Sequence, residues 1–212
     1  LMAIVIVAAL GASMINLVIA LAISCVPTFA RIVRSAVLSV RDMEYVEAAR
    51  AIGSVNTLVR RDGKLLAFNT DAAGFCFMAR RAGIDFAGTK TVVLGNGGAS
   101  HTVVACARQL GAREVVVISR SGENNYGNLS RHADADILVN ATKVGMAPLD
   151  GETLIDPSLF RADLVVADTV YNPKETRMIL EAKAAGVKAA IGGIGMLLRQ
   201  GVEGFRLYTG RE

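Results

Sequence analysis

Cysteine and histidine are scarce in this chain of 212 residues, which has three cysteines, Cys25, Cys76 and Cys106, and two histidines, His101 and His132. An odd number of cysteines with neither CxxC nor histidine-paired spacing suggests neither a disulfide framework nor a zinc site. No metal is therefore expected, and reduced thiols suit a cytosolic compartment. Net charge is also small. A value of +4, dispersed along the chain, provides no basic stripe of the kind that binds nucleic acid. Charge is missing altogether from residues 1–30, LMAIVIVAALGASMINLVIALAISCVPTFA.

That uncharged run is longer than the roughly 20 residues that cross a hydrocarbon core as a helix. Arg31, Arg34 and Arg41 follow it, which by the positive-inside tendency leaves the downstream chain in the cytoplasm. No basic stretch precedes it, as one would in a signal peptide. Gly11, Ser13, Asn16 and Ser24 dilute the run and Pro27 would end or kink it, so a buried core helix or an apolar arm is the alternative. Membrane contact through residues 1–30, with residues 54–212 cytoplasmic, is the expectation.

The rest of the chain, with a hydrophobic content of 52% overall, carries enough apolar residues for a sizeable core. It is organised around KTVVLGNGGASHTVVACARQL, residues 90–110. A short apolar run (Val92, Val93, Leu94) leads into Gly95-Asn96-Gly97-Gly98-Ala99-Ser100, and helical spacing follows at Val103, Val104, Ala107 and Leu110. This reads as strand, tight turn and helix. Glycines at 95 and 97 permit positive φ and close backbone approach to a pyrophosphate, the free N–H groups opening the helix favour its charge, and small Ser100 lets helix and strand pack. A lone glycine-rich hexad is equally compatible with an ordinary βα turn.

Further apolar strands follow at Glu114–Ile118, Asp136–Val139, Asp163–Ala167 and Val187–Ile191, with helical spacing over residues 98–110, 175–186 and 194–207. Nearly continuous Val, Ile and Leu runs indicate strands covered on both faces, hence a parallel sheet. The pattern predicts an α/β class, a doubly wound parallel nucleotide-binding (Rossmann) domain with its ligand at the carboxyl ends of the strands. Ahead of it, a strand over residues 55–59, an Asp62-Gly63 turn and a returning strand over 65–68 predict a hairpin. A helix over 72–82 then starts from Asp71 or Thr70 as its cap and stops at Gly83.

Two resemblances attach to these motifs. Residues 1–53 are similar to the interior of a dipeptide or oligopeptide ABC-transporter permease, with Glu47-Ala48-Ala49, three residues, then Gly53 matching the start of its cytoplasmic coupling loop. The chain leaves that pattern after Gly53. From Ser54 onward, Asn56-Thr57, Asn69 to Phe75, Gly95 to Ser100, Asn140-Ala141-Thr142 with Val144-Gly145-Met146, Tyr171-Asn172-Pro173 and residues 195–201 (GMLLRQG) resemble shikimate dehydrogenase in family order. The chain thereby divides into a permease-like apolar helical segment (1–53), a truncated substrate-domain remnant (54–87), an NADP-binding domain (88–191) and a terminal helix returning toward the substrate cleft (192–212). It reads as two unrelated sequences joined near Ala51 to Ser54.

The resemblance implies reduction of 3-dehydroshikimate to shikimate with NADPH. It places Asp71 beside the reacting hydroxyl as the catalytic carboxylate, and Asn56, Tyr171 and Gln200 on the substrate. It assigns Gly95, Asn96, Gly97, Gly98, Ala99, Ser119, Arg120, Ser121, Thr142, Thr169 and Gly193 to the cofactor. Glycines 192, 193 and 195 also suit a plain tight turn. Arg120 at the end of the second Rossmann strand suits a 2′-phosphate, where an NAD enzyme usually carries an acidic residue; Glu123 nearby opposes it. The family's acid/base lysine has no counterpart, because residues 1–53 contain no lysine; Lys64 falls in the hairpin turn and Lys90 opens a strand. Lys143 replaces the family's proline, and His101 and Thr102 also depart mildly. The chain is thus expected to bind NADP and to turn over shikimate poorly. A transport component, or a nucleotide-binding remnant without catalysis, is the alternative.

Overall fold

The computed structural model describes residues 53–211. The expected apolar span of residues 1–30 and the permease-like stretch up to Ile52 lie outside the described residues. Two antiparallel strands, β1 (Thr57–Arg61) and β2 (Lys64–Phe68), open the fold. Arg61 pairs with Lys64, so Asp62-Gly63 is a two-residue loop, and φ of 49° and 76° at its two positions is the primed turn that fits strand twist. Strand β1 begins at Thr57, two residues later than the apolar run suggests; Asn56 N–H still donates to the Phe68 carbonyl at 3.2 Å, while its side chain turns to Thr70.

Helix α1 (Thr70–Arg81) follows, stopping just before Gly83 at φ 66°. Its cap is Asn69, whose side chain accepts from Ala72 N at 3.1 Å. This corrects the assignment to Asp71 or Thr70 and leaves both of those side chains for other partners. The remaining elements are β3 (Lys90–Leu94), α2 (Gly98–Gln109), β4 (Glu114–Ile118), β5 (Ile137–Asn140), β6 (Val165–Asp168), α3 (Arg177–Ala184), β7 (Ala189–Ile191) and α4 (Ile194–Thr209). The last five strands form one parallel sheet in the order β4-β3-β5-β6-β7. Strand order reverses between β3 and β5, the crevice where open parallel sheets bind ligands.

Both faces of this sheet are buried, as the continuous apolar strands require. Val93, Val139 and Ala167 pack with Phe75 and Met78 of α1, Val103 and Ala107 of α2 and Met196 of α4. Val92, Leu94, Ile118, Leu138 and Val166 pack on the other face with Met178 and Ile179 of α3, Leu129, Ile155 and Phe160. Here the winding is lighter than expected. The crossovers after β4 and β5 carry only 3-10 turns, Tyr126–His132 and Pro157–Leu159, so one face has a single full helix. Helix α3 is also shorter than the spacing over 175–186 indicates, because Thr176 caps it by accepting from Ile179 N.

Lys90 is buried at the amino end of β3, where its Nζ donates to Asp134 at 2.7 Å and its backbone N–H donates to Asp136 Oδ2 at 2.7 Å. The Glu114 carboxylate lies 3.9 Å from the same amine. It clamps the start of three neighbouring segments, about 16 Å of strand away from the glycine loop at the other end of β3. Among the described residues, no helix is long and apolar enough to cross a membrane.

Candidate dinucleotide and substrate site

The turn after β3 needs glycine at one position above all. Gly95 adopts φ 106°, and a β-carbon there would stand 2.9 Å from Thr142 Cγ2 and 3.0 Å from the Ala141 carbonyl oxygen. The loop after β3 therefore sits directly against the loop after β5, at the reversal of strand order. Gly97 behaves otherwise than expected. It caps α2 with φ −102° and ψ −172°, extended backbone open to any residue. Gly97 and Gly98 are exposed with Asn96, and Ala99 is partly buried behind them. The first N–H groups of α2 have no intrahelical acceptor and point at this opening. Ser100 is fully buried, as close helix–strand packing requires, and its hydroxyl finds no partner among the described residues.

Ser119, Arg120 and Ser121 follow β4 directly. Ser119 N–H donates to the Asn124 carbonyl at 3.1 Å, folding the loop back on itself. Arg120 is exposed and takes part in no ion pair among the described residues; its charge opposes the burial that raises the pKa of Tyr126.

The loops after β5 and β6 are fastened by a buried carboxylate that the motifs had not singled out. Asp168 accepts from Asn140 Nδ2 at 3.0 Å, from Val170 N–H at 2.9 Å and from Thr176 Oγ1 at 2.6 Å. Burial pushes its pKa up to about 6 against these three donors. Asn140 Oδ1 in turn accepts from Thr142 N–H at 3.0 Å and Thr142 Oγ1 at 2.7 Å, and Val144 N–H donates to Thr142 Oγ1 at 3.1 Å. Lys143 is exposed in the turn that Met146 N–H closes by donating to its carbonyl. An aspartate ending the apolar run DLVVAD was the only sign of Asp168 in the sequence.

Thr169 and Gly193 meet through their backbones. A β-carbon on Gly193 would fall 2.3 Å from the Thr169 carbonyl oxygen, and one on Gly192 would fall 2.6 Å from that of Lys174. These glycines allow the segment before α4 to lie against the end of β6, which is more than a tight turn requires. Tyr171, in the same loop, is exposed, and no hydrogen bond joins its hydroxyl to the other candidates among the described residues.

Asn56, Asp71 and Gln200 do come together, around Thr70. Asn56 Oδ1 accepts from Thr70 N–H at 2.9 Å, Thr70 Oγ1 at 3.2 Å and Thr57 Oγ1 at 3.1 Å. Thr70 Oγ1 also lies 3.3 Å from Gln200 Oε1, reaching the last helix. With its oxygen engaged, Asn56 has only its amide hydrogens left to offer. Burial raises the Asp71 pKa, and the Asn56 side chain opposes that rise.

A second network joins this group to the glycine loop. Asn69 Nδ2 donates to Ser54 Oγ at 2.8 Å and to Thr102 Oγ1 at 2.9 Å, and Thr102 Oγ1 donates to the Gly98 carbonyl at 3.1 Å. The start of α1, carrying Asp71, is thereby tied to the start of α2. His101 Nδ1 lies 3.3 Å from the Gly53 carbonyl at the edge of the same network. Ser54, Thr70 and Thr102 carry no catalytic signature and were missed for that reason.

The chain is 36% identical over 200 residues to the quinate/shikimate dehydrogenase of Shigella flexneri, covering 80% of each. It is also 36% identical over 200 residues to that of Escherichia coli, covering 80% of this chain and 69% of the other. Its fold matches a chorismate mutase/shikimate 5-dehydrogenase fusion protein from Clostridium acetobutylicum with TM-score 0.73 and 32% identity, over 78% of this chain and 63% of that one. Shikimate 5-dehydrogenase from Listeria monocytogenes, solved with shikimate and NAD, matches with TM-score 0.69 and 31% identity, over 78% and 66%. The Thermus thermophilus enzyme, solved with NADP(H) and shikimate, matches with TM-score 0.66 and 36% identity, over 77% and 65%. The chain thus spans just under two thirds of the length of these three solved structures. No family model matches the chain.

Proposed function

The chain belongs to the shikimate/quinate dehydrogenase family, and on that premise we propose that residues 54–212 are the NADP-binding domain and part of the substrate cleft of a shikimate dehydrogenase. The observation that carries this reading is the Asn69–Thr102 bond at 2.9 Å, which holds the Asp71 end of α1 against the dinucleotide-type loop opening α2.

On this reading Gly95, Asn96, Gly97, Gly98 and Ala99 surround the diphosphate. The positive φ and close approach at Gly95 and the open N-terminus of α2 suit an anion there. Ser119, Arg120 and Ser121 take the ribose 2′-phosphate, supported by a guanidinium that makes no ion pair among the described residues and by the absence of an acidic residue at those three positions. Thr142, Thr169 and Gly193 line the path to the nicotinamide.

A nicotinamide bound there would supply or accept the hydride at the ring carbon. Asp71 accepts the hydrogen of the adjoining hydroxyl and fixes its direction, held in turn by Asn56. Gln200 and Tyr171 bind the rest of the ring acid. What remains is the proton, which the family's lysine handles. Residues 1–53 contain no lysine, Lys90 is engaged at the opposite end of β3, and Lys64 lies in the exposed hairpin. General acid–base catalysis contributes about 10²–10⁴-fold, so turnover by this chain falls short of a lysine-bearing relative by roughly that factor.

Calorimetric titration with NADP and an NADP-coupled absorbance assay test the two halves separately. The expected result is NADP binding with weak shikimate binding and turnover at least about 100-fold below a lysine-bearing relative. Failure to bind NADP would remove the dinucleotide reading; relative-like turnover would remove the lysine argument alone.

A further inference from the structure

Helices α1 and α2 bring two cysteines together at a place the dehydrogenase reading does not use. Cys76 is half-buried in the middle of α1, and Cys106 is buried in the second half of α2. Cys106 Sγ donates to the Ala72 carbonyl at 3.7 Å, one turn before Cys76 on the same helix. The Ala72 carbonyl opens the helical turn that ends at Cys76, so the Cys106 thiol lies against the turn of α1 that carries Cys76, and the Arg80 guanidinium adds positive charge at Cys76. Cys106 belongs to the buried apolar cluster, and Cys76 packs against it. Inert core cysteines are buried small hydrophobes; this pair has one member open to solvent and a cation beside it.

We propose that Cys76 and Cys106 form a dithiol modification site for a small hydroperoxide, closing to a disulfide that ties α1 to α2. Cys76 is the attacking thiol. The neighbouring Cys106 thiol, reinforced by Arg80, brings its pKa down to about 7 against the effect of burial, whereas the Cys106 thiol is pushed up by Cys76 and by its own burial. Reactivity follows the thiolate and its exposure.

In the first step Cys76 Sγ attacks a peroxide oxygen and the O–O bond breaks. The leaving oxygen departs as water or an alcohol after taking a proton. Cys76, oxidised by two electrons, is left as a sulfenic acid. Cys106 Sγ then attacks that sulfur, the S–O bond breaks, and hydroxide leaves as water with the Cys106 proton. Two thiols and one hydroperoxide thus give one disulfide, one water or alcohol and one water. Cys106 Sγ already lies against the turn of α1 that ends at Cys76, so closure takes a side-chain movement that brings the two sulfurs to bonding distance. The bond would add a second tie along the interface that Asn69 and Thr102 fasten at its start.

The experiment uses the reduced full chain carrying Cys25→Ser, which removes the third thiol, treated with stoichiometric hydrogen peroxide and digested with trypsin. Cleavage after Lys and Arg puts Cys76 in the peptide of residues 65–80 and Cys106 in that of residues 91–108. The expected product is these two peptides joined, two hydrogens lighter than the pair, and separated again by dithiothreitol. Cys106→Ala should leave Cys76 as a sulfenic acid that dimedone traps, and should slow Cys76 alkylation by iodoacetamide at neutral pH about five- to tenfold. Cys76→Ser should leave Cys106 unoxidised. Peptides that stay separate after peroxide, or Cys76 alkylating as fast in Cys106→Ala as in the parent, would overturn the proposal.

Discussion

Asn69 and Thr102 stand 33 residues apart in the chain and meet side chain to side chain at 2.9 Å, joining the cap of one helix to the second turn of another. The same asparagine caps α1 through its oxygen. One side chain therefore starts the helix bearing Asp71 and anchors it beside the glycine loop.

Removing either end of that bond should expose their coupling. Asn69→Ala should cost about 1–3 kcal/mol, combining a lost cap with partners left unpaired, and Thr102→Val about 1–2 kcal/mol. Because the two share one hydrogen bond, the double variant should cost less than the sum by on the order of 1 kcal/mol. Urea unfolding of all four forms measures this, and strict additivity would show that the contact does not matter energetically.

Arg120→Ala should weaken NADP binding by roughly tenfold or more and leave NAD binding almost unchanged, since a charge-assisted hydrogen bond is worth about 1.5–3 kcal/mol. Calorimetry with both dinucleotides decides. Equal losses would remove Arg120 from the 2′-phosphate.

Two glycines should respond in opposite directions. Gly193→Ala places a β-carbon 2.3 Å from a backbone oxygen, which cannot move without shifting the end of β6, and should destabilise by about 2 kcal/mol or more. Gly204→Ala, inside α4 with open space at that point, should stabilise by about 0.5–1 kcal/mol through helix propensity. Thermal melting of the two variants beside the parent provides the comparison.

Asp168 should make stability fall as pH rises from about 4 to about 6. Its folded pKa of about 6 lies above the ordinary value of 3.8, so in that interval the folded state holds the proton more tightly than the unfolded chain does. The contribution is greatest below the unfolded pKa and is lost as pH climbs through the folded one, on the order of 3 kcal/mol in all. Asp168→Asn retains an acceptor for Asn140 and Val170 and offers Thr176 a donor, and should flatten that slope. Denaturant unfolding across the interval checks it; an unchanged slope would assign the pH dependence elsewhere.

Much of the fold is written locally. The Val and Ile runs of β3 to β6 specify buried parallel strands because each residue reports only whether water is near it. Asp62-Gly63 sets the hairpin because those two residues alone must adopt positive φ. The lighter covering of one sheet face was not legible, since 3-10 turns such as Tyr126–His132 have too few residues to show a period.

By itself the sequence determined the succession of strands and helices, the glycine bend after β3 and the lack of a lysine in its first 53 residues, all properties of adjoining residues or of composition. Tertiary structure alone decided that Asn69 rather than Thr70 or Asp71 caps α1, that Asp168 gathers Asn140, Val170 and Thr176, and that Cys106 lies against the turn of α1 that carries Cys76. Three neighbouring residues can each cap a helix equally well in isolation. The choice falls to whichever partners the fold brings up: Asn56, 14 residues before Thr70, occupies Thr70 and Asp71, while Ser54 and Thr102 take the amide of Asn69. Hydrogen bonds across such separations follow no period along the chain, and only packing supplies them.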